Sequence, residues 1–470
     1  MIRPTLEEAK TLAAGYTLVP IALEIYSDIR TPMEVLKVLK AKGKNAYILE
    51  SVENGENWGR YTFLGCNPSM TLTGGNGAVT VKTLSGETVR AGDPHALLKE
   101  TVRGYKSPRV AYLPTFTGGF VGSFDYEYTQ NGAFCLMLYR QVIAFDHLKQ
   151  KIFLITNIET DNLEENYIAG VAALKDMEAL VTAEGRYEAP GGQVRSEFTQ
   201  SLSQTEFLRA VETCRRHIGK GEVSQVVPSV RFSAAYEGDL LPVYRALRTI
   251  NPSSYMFYIQ FDTMQLAAAS PETLVSLKNG VVSTFPLAGT CKRTGDEEEN
   301  RRLLAKLLSD PKELAEHEML VELGREDLDK VCRPGSVNVE EYRVIKTCSH
   351  VYHIESKVRG QIRPDCDAFD AMAAALPAGT LSGAPRDKAM EIIARIEGEP
   401  RGVYGGAVGY IDFAGEMDLC IGIRMAVLKD GKVSVQAGAG IVAESIPENE
   451  YNECLNKAKA MMIALKEALT

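Results

Sequence analysis

The sequence is poor in the side chains that hold transition metals or build disulfide frameworks. Six histidines are spread over 470 residues with no H-E-x-x-H pair, so no histidine zinc site is signalled. Nine cysteines (66, 135, 214, 291, 332, 348, 366, 420 and 454) are odd in number and scattered, and none forms C-x-x-C. Neither a disulfide scaffold nor a thiolate zinc site is expected. No apolar run approaches the roughly 18 residues of a membrane span. The opening MIRPTLEEAK lacks the apolar stretch of a secretory signal. Basic residues are outnumbered, 52 Lys and Arg against 61 Asp and Glu, for a net charge of −9, the opposite of a nucleic-acid footprint. Glycine strings such as GGAVGY and GAG fit neither G-x-G-x-x-G nor the Walker pattern, which argues against a nucleotide site. A reduced, cytoplasmic setting is expected, with no nucleic-acid or membrane partner.

What is present is an ordinary globular composition, 45% hydrophobic and 24% charged. A chain this long buries roughly three quarters of its unfolded surface. The stretch TAEGRYEAPGGQVRSEFT (182–199) contains Pro-Gly-Gly and no sustained apolar period, so it reads as a connection. It divides the chain into an N-terminal region 1–182, a connection 183–199 and a C-terminal region 200–470. Before it, QVIAFDH (141–147) and KIFLITNI (151–158) predict a hairpin, and a helix follows over 163–181. After it, Ser203 and Glu206 signal a capping box, and Phe207, Val211, Cys214 and Ile218 form a core-facing stripe. Strands are predicted at 224–232, 254–261, 273–277, 281–287, 405–413, 420–428 and 432–440. Helices are predicted at 311–323, 367–375, 387–396 and from Glu448 onward. Strands adjoin strands so often that an α+β fold with antiparallel sheets fits better than βαβ alternation.

Two predicted helices carry clustered carboxylates. On the last, Glu450, Glu453 and Lys457 stand at i, i+3 and i+7, beside the apolar stripe Tyr451, Leu455, Ala458, Met462 and Leu465. Spacing alone fits a solvated Glu/Lys face. The other supplies Glu313 and Glu316. Asp310 suits the N-cap, Pro311 the first turn, and Glu313 the closing position of a capping box, whereas Glu316 has no such explanation. Carboxylates converging from two helices offer the hard oxygen ligands that Mg²⁺ takes. His317 reads as a core or supporting residue. Arg424 lies in the apolar run CIGIRMAVL, where alternation puts Ile421 and Ile423 on one face and Gly422 and Arg424 on the other. Such an arginine needs an anionic partner, internal or substrate-borne. Gly438 and Gly440 admit either a close ligand or a β-bulge.

Longer motifs carry more. PAGTLSGAP (377–385), RGVYGGAVGY (401–410), IGIR (421–424), QAGAGIV (436–442), DPKELAEHEMLVELGR (310–325) and SHVYHIESKVRG (349–360) resemble the chorismate-utilising enzymes. With ILESVENGENWGRYTFLG (48–65), TGGFVGSFDYEY (117–128) and FDHLKQKIFLIT (145–156), the set resembles the large synthase subunits of anthranilate synthase. The likeness is nearly continuous from Thr205 to about Leu465.

The resemblance implies antiparallel sheets packed as a sandwich with helices outside. It implies a Mg²⁺-dependent enzyme that aminates chorismate and then eliminates pyruvate to give anthranilate for tryptophan synthesis. By motif position, Glu316 and Glu453 would be metal ligands, supported by Glu313 and Glu450. Lys457 and the backbone of Gly438, Ala439 and Gly440 would meet the substrate carboxylate. Tyr404, Arg424, Gly289 and Thr290 match further chorismate contacts. Glu272, in ASPET, matches an acid that must protonate the leaving hydroxyl and so needs a raised pKa. His353 matches the active-site histidine, and Thr380 a hydroxyl near the reacting ring.

Two positions divide the family. Members that attack with water carry a lysine where this chain has Gln225, and a glutamine cannot deprotonate water. Members of the para-aminobenzoate branch carry a lysine where this chain has Ala288. The first points to amination rather than water attack, and the second to the ortho position. Neither Cys66 nor Cys291 sits in a G-x-C-x-G elbow, so a separate glutamine amidotransferase subunit is expected to supply ammonia. The resemblance also implies tryptophan feedback inhibition through LES (49–51) and NPSSYMF (251–257), with Ser51, Ser254, Tyr255 and Met256 at the inhibitor. Ser254 replaces the family's second proline, and a serine loosens that backbone. The chain further departs from the family at Cys291-Lys292-Arg293, Arg325-Glu326-Asp327 and Arg386-Asp387-Lys388. The rival readings are an aminodeoxychorismate synthase and a catalytically silent tryptophan-binding regulator.

Overall fold

The computed structural model describes residues 2–51, 59–183, 187–347 and 351–468. Motif residues 52–58, connection residues 184–186, and Cys348 and Ser349 lie outside the described residues. The strand-rich pattern folds into two large sheets, of 13 and 12 strands, and a two-stranded ribbon of Gln225–Val226 with Gly383–Ala384. The pairings are antiparallel, as in the hairpin Gln141–Asp146 with Lys151–Glu159.

Alternation along the strands sets the layers. In Tyr255–Gln260, Met256 and Tyr258 enter a core beneath helices, while Phe257 and Ile259 enter a core shared by both sheets. In Ala407–Asp412, Val408 and Tyr410 face that shared core, while Ala407 and Ile411 join a third. The result is a sandwich of two sheets with helices on both outer faces. Gln204–Gly219, Leu241–Ile250 and Pro447–Glu467 cover the larger sheet. Pro311–Asp329 and Ala368–Ala375 cover the other.

The two halves of the chain share both sheets. Tyr47–Glu50 pairs with Tyr255–Gln260 in one, and Gly119–Phe124 with Ala407–Asp412 in the other. The connection 183–199 runs from the helix Leu163–Thr182 to Gln204–Gly219, and lays Gly192–Val194 and Thr199–Gln200 on Ser229–Gly238.

Several boundaries differ from the sequence reading. The run 224–232 is broken at Pro228 into Gln225–Val226 and Ser229–Gly238, because proline has no N–H for the ladder. The helix at Pro311 continues to Asp329. On the last helix, Cys454, Met461 and Ala464 join the buried stripe, and Leu455 is exposed. No described helix is long and apolar enough to cross a membrane.

Candidate active site

The run 420–428 is not one strand. Met417–Ile421 belongs to the smaller sheet and Met425–Lys429 to the larger. The residues between them cross from sheet to sheet, and Arg424 takes a left-handed backbone at φ 50°. The alternation expected for Arg424 therefore fails: it stands at a crossing rather than in a ladder. A second crossing runs beside it. Met264–Ser270 lies in the larger sheet, Thr273–Lys278 in the smaller, and Pro271 and Glu272 join them. The crossings are tied together: Ile421 N–H donates to the Glu272 carbonyl at 3.0 Å, Ser270 Oγ to the Ile421 carbonyl at 2.7 Å, and Ala269 N–H to the Arg424 carbonyl at 3.1 Å. One local feature thus sets both a carboxylate and a guanidinium at the end of the sandwich.

Thr380, in the short turn Gly379–Leu381, donates from Oγ1 to Glu272 Oε1 at 2.9 Å. Burial pushes the Glu272 carboxyl up to about 7, against the pull of Thr380, Lys457, Arg424 and Lys346. His353 lies on Val351–Gln361 opposite Thr290, where the ladder bulges between Ala288 and Thr290. Its Nδ1 lies 3.2 Å from the Gly289 carbonyl and 3.0 Å from Thr290 Oγ1. A carbonyl only accepts, so this contact assigns the proton to Nδ1 and makes Nε2 the unprotonated ring nitrogen. Ala288 is buried.

The two carboxylate helices meet across this end. Asp310 caps Pro311–Asp329 by accepting from Lys312 N and Glu313 N, but its own N–H donates to the Leu307 carbonyl. The capping box expected of Glu313 is therefore not formed. A Cβ placed on Gly289, at φ 72°, would sit 3.3 Å from Glu313 Oε2. Burial, then the charges of Glu316 and Asp310 and more weakly Glu453, raise the Glu313 carboxyl; Lys312 opposes them. Burial, with the charge of Glu453 and against a Ser445 hydrogen bond, raises Glu450. Glu316 Oε1 accepts from Gln225 Nε2 at 3.2 Å. Gln225 is 3% exposed, and its Oε1 has no hydrogen-bond partner among the described residues. A Cβ at Gly440 would come within 2.5 Å of Gln225 Nε2, so a side chain there would displace the Gln225 amide.

Lys457 bridges the remaining elements. Its Nζ pairs with Glu453 at 2.6 Å and donates to the Gly438 carbonyl at 3.0 Å, and its own carbonyl accepts from Arg424 Nη1 at 2.9 Å. Tyr404 is buried, with its hydroxyl 3.2 Å from where a Gly438 Cβ would stand. Ala439 is fully buried behind the same turn. Thus Glu272, Thr380, Gln225, Glu313, Glu316, Arg424, Tyr404, Lys457, Glu453 and the 438–440 turn gather in one region, with His353, Gly289 and Thr290 at its rim. Among the described residues no three His, Cys, Asp or Glu side chains already converge as a metal cluster. The donor set still suits Mg²⁺: the charges of Glu316 and Glu453 help raise Glu313, and that of Glu453 helps raise Glu450, an excess of negative charge that a divalent cation relieves.

Sequence reasoning missed Lys346, which faces Glu272 from Asn338–Thr347, and Lys312, which faces Glu313 and Glu450. It also missed Arg401. This 5% exposed guanidinium pairs with Glu397 at 2.6 Å and donates to the Leu381 and Val227 carbonyls, each at 2.6 Å. It binds the Thr380 turn to the segment after Gln225. Only its place in a glycine-rich motif hinted at it. His317 is a core residue, with Nε2 2.7 Å from Ser356 Oγ. Arg386, which begins one departing segment, holds Asp327 through both oxygens at 2.6 and 2.9 Å.

A separate cavity of about 530 Å³ opens between the sheets, and Ser51, Ser254, Tyr255 and Met256 all line it. Neighbouring Glu50 does not serve as a free anion there: Arg248 Nε and Tyr244 Oη each reach it at 2.5 Å.

The family model for chorismate binding enzymes matches residues 37–463. The chain is 40% identical to anthranilate synthase component 1 of Acetivibrio thermocellus, over 100% of this chain and 99% of that one. It is likewise 40% identical to the component 1 of Aquifex aeolicus, over 99% and 98%. The crystal structure of anthranilate synthase component I from Streptococcus pneumoniae superposes with a TM-score of 0.76 at 36% identity, covering 93% of this chain and 98% of that one. The menaquinone-specific isochorismate synthase of Escherichia coli shares the fold, with a TM-score of 0.72 at 20% identity over 99% of both chains. Matched along its length by the family model and by these relatives, the chain belongs to the chorismate-binding enzymes, within the anthranilate synthase component 1 family.

Proposed function

We propose that this chain converts chorismate and ammonia to anthranilate, pyruvate and water, the ammonia coming from glutamine through a separate amidotransferase subunit, and that it does so in the cytoplasm with Mg²⁺. The observation that carries the reading is the Glu272 carboxyl, buried against Thr380 and raised to about 7 beside Arg424 and Lys457. An acid so placed is about half protonated at neutral pH, next to cations that attract a diacid.

In the first step the nitrogen of ammonia bonds to ring C2, the double bonds shift, and the C4–O bond breaks. Hydroxide leaves poorly, so Glu272 delivers its proton to that oxygen and water departs. Thr380 Oγ1 then stabilises the carboxylate that remains. Gln225 has no proton-accepting site basic enough to activate water, so ammonia, already a nucleophile, reacts instead. In the second step the C2 proton is removed, with His353, whose Nδ1 faces the Gly289 carbonyl, as the proposed base. The C3–O bond breaks, pyruvate leaves and the ring becomes aromatic. Arg424, Lys457 and the backbone of Gly438–Gly440 bind the substrate carboxylates. Glu316 and Glu453, with Glu313 and Glu450 in support, would hold Mg²⁺, which would supply positive charge at the substrate carboxylate.

The cavity at Ser51 and Tyr255 is proposed as the site of tryptophan feedback. It has the volume for an amino acid with an indole ring and offers Lys278 and Asp418 as charged groups.

Purified protein incubated with chorismate, Mg²⁺ and ammonium should form anthranilate, read by its fluorescence and by chromatography against aminodeoxychorismate. Consumption of chorismate to aminodeoxychorismate alone would reverse the ortho assignment, and no consumption would end the catalytic reading.

A further inference from the structure

The Glu272 crossing and the inter-sheet cavity share a wall. Tyr255 lines the cavity, and its Oη lies 2.9 Å from Thr273 Oγ1, immediately after Glu272. The same hydroxyl donates to Asp418 Oδ1 at 2.7 Å, and Asp418 also holds Lys278 at 3.1 Å. On the other side of Glu272, Ser254 Oγ reaches the Pro271 carbonyl at 3.4 Å. Two adjacent cavity residues thus grip the chain just before and just after the proposed acid. The grip matters because Glu272 is not in a regular ladder: the register of its strand shifts between Thr273 and Val275. Beyond its backbone ties to the neighbouring crossing, such a segment gains position from side-chain bonds.

We infer that Tyr255 is a positioning residue for Glu272, and that through the Tyr255–Thr273 bond occupancy of the cavity by an aromatic amino acid reaches the acid. The inference rests on the reading above, in which Glu272 is the acid and the cavity takes tryptophan. A ligand that draws Tyr255 Oη or Asp418 to itself releases Thr273 and lets the crossing relax. The charged groups that face Glu272 are Lys457 from the last helix, Arg424 from the paired crossing and Lys346 from Asn338–Thr347. Asp327 lines the small cavity behind it. None of these touches Tyr255 in the bonds above, so removing the tyrosine hydroxyl leaves them in place.

The test compares Tyr255→Phe, Thr273→Val and Thr273→Ser with the parent chain. Losing one hydrogen bond to the crossing is expected to lower kcat about fivefold, with KM for chorismate unchanged. A looser crossing admits water, so the alkaline limb of kcat should move down from about 7 in Tyr255→Phe and Thr273→Val. Thr273→Ser, which keeps the hydroxyl, should restore it. Calorimetry should find tryptophan still bound by Tyr255→Phe, with inhibition at saturation only partial. Unchanged kcat and an unchanged alkaline limb in both Tyr255→Phe and Thr273→Val would overturn the inference. The pH limb is read without tryptophan. A parent chain that binds no tryptophan therefore refutes the feedback reading alone, and one that makes no anthranilate refutes the catalytic reading.

Discussion

Replacing Glu272 by glutamine should trade activity for stability in a pH-dependent way. Burial holds the folded carboxyl at about 7 against an ordinary 4.5. The fold therefore favours the protonated form. The stability this contributes is fully present below about pH 4.5 and is lost as pH rises through about 7. At 1.36 kcal/mol per pH unit, the interval corresponds to at most about 3 kcal/mol of burial penalty on the ionised carboxylate at pH 8. Glutamine has nearly the same shape and never ionises. Glu272→Gln should match the parent at pH 4.5 and exceed it at pH 8 by up to about 3 kcal/mol, about 3 °C in Tm for a chain of this length. Anthranilate formation should fall by roughly 10²–10⁴, because the amide cannot protonate the leaving hydroxyl. Urea denaturation at the two pH values, with circular dichroism as readout, measures the difference. A variant no more stable than the parent at pH 8, relative to pH 4.5, would refute the reasoning.

Gln225→Lys places a base where the glutamine now donates to Glu316; it should admit water attack, seen as isochorismate or salicylate by chromatography, and amination products alone would refute the role given to this position. Arg401→Met strands the buried Glu397 carboxylate and two carbonyls, so urea denaturation should show a loss of about 3–5 kcal/mol; a loss below about 1 kcal/mol would contradict that. Ser51→Phe fills the inter-sheet cavity and should weaken tryptophan binding at least about tenfold by calorimetry while anthranilate formation stays at the parental rate; undiminished affinity would remove the cavity as the inhibitor site.

How far the sequence could be read depended on the range of the interactions. Local signals were legible: the capping box at Ser203 and Glu206 forms, and Asp310 caps its helix. The 141–158 hairpin pairs as its alternation suggests. Non-local events were not. The run 420–428 is apolar on both faces because it passes from one buried sheet to another, and a continuous strand has the same pattern. Nothing near Glu313 reveals that Asp310 N–H is already taken by Leu307, which frees the glutamate to face Gly289. The contact between Thr380 and Glu272 joins residues 108 apart, and only the long motifs hinted that they meet. Composition suggested a connection at 183–199, but the strand pairing across it depends on register between distant segments.

In the proposed mechanism glutamates from two helices would hold a divalent ion for an anionic substrate. Initial rates of anthranilate formation against free Mg²⁺, for the parent, Glu316→Gln and Glu453→Gln, test it most directly. Both variants should keep the parental circular dichroism and require far more Mg²⁺, with turnover at least about 100-fold lower at parental saturation. Parental rates and parental Mg²⁺ dependence in either folded variant would contradict it.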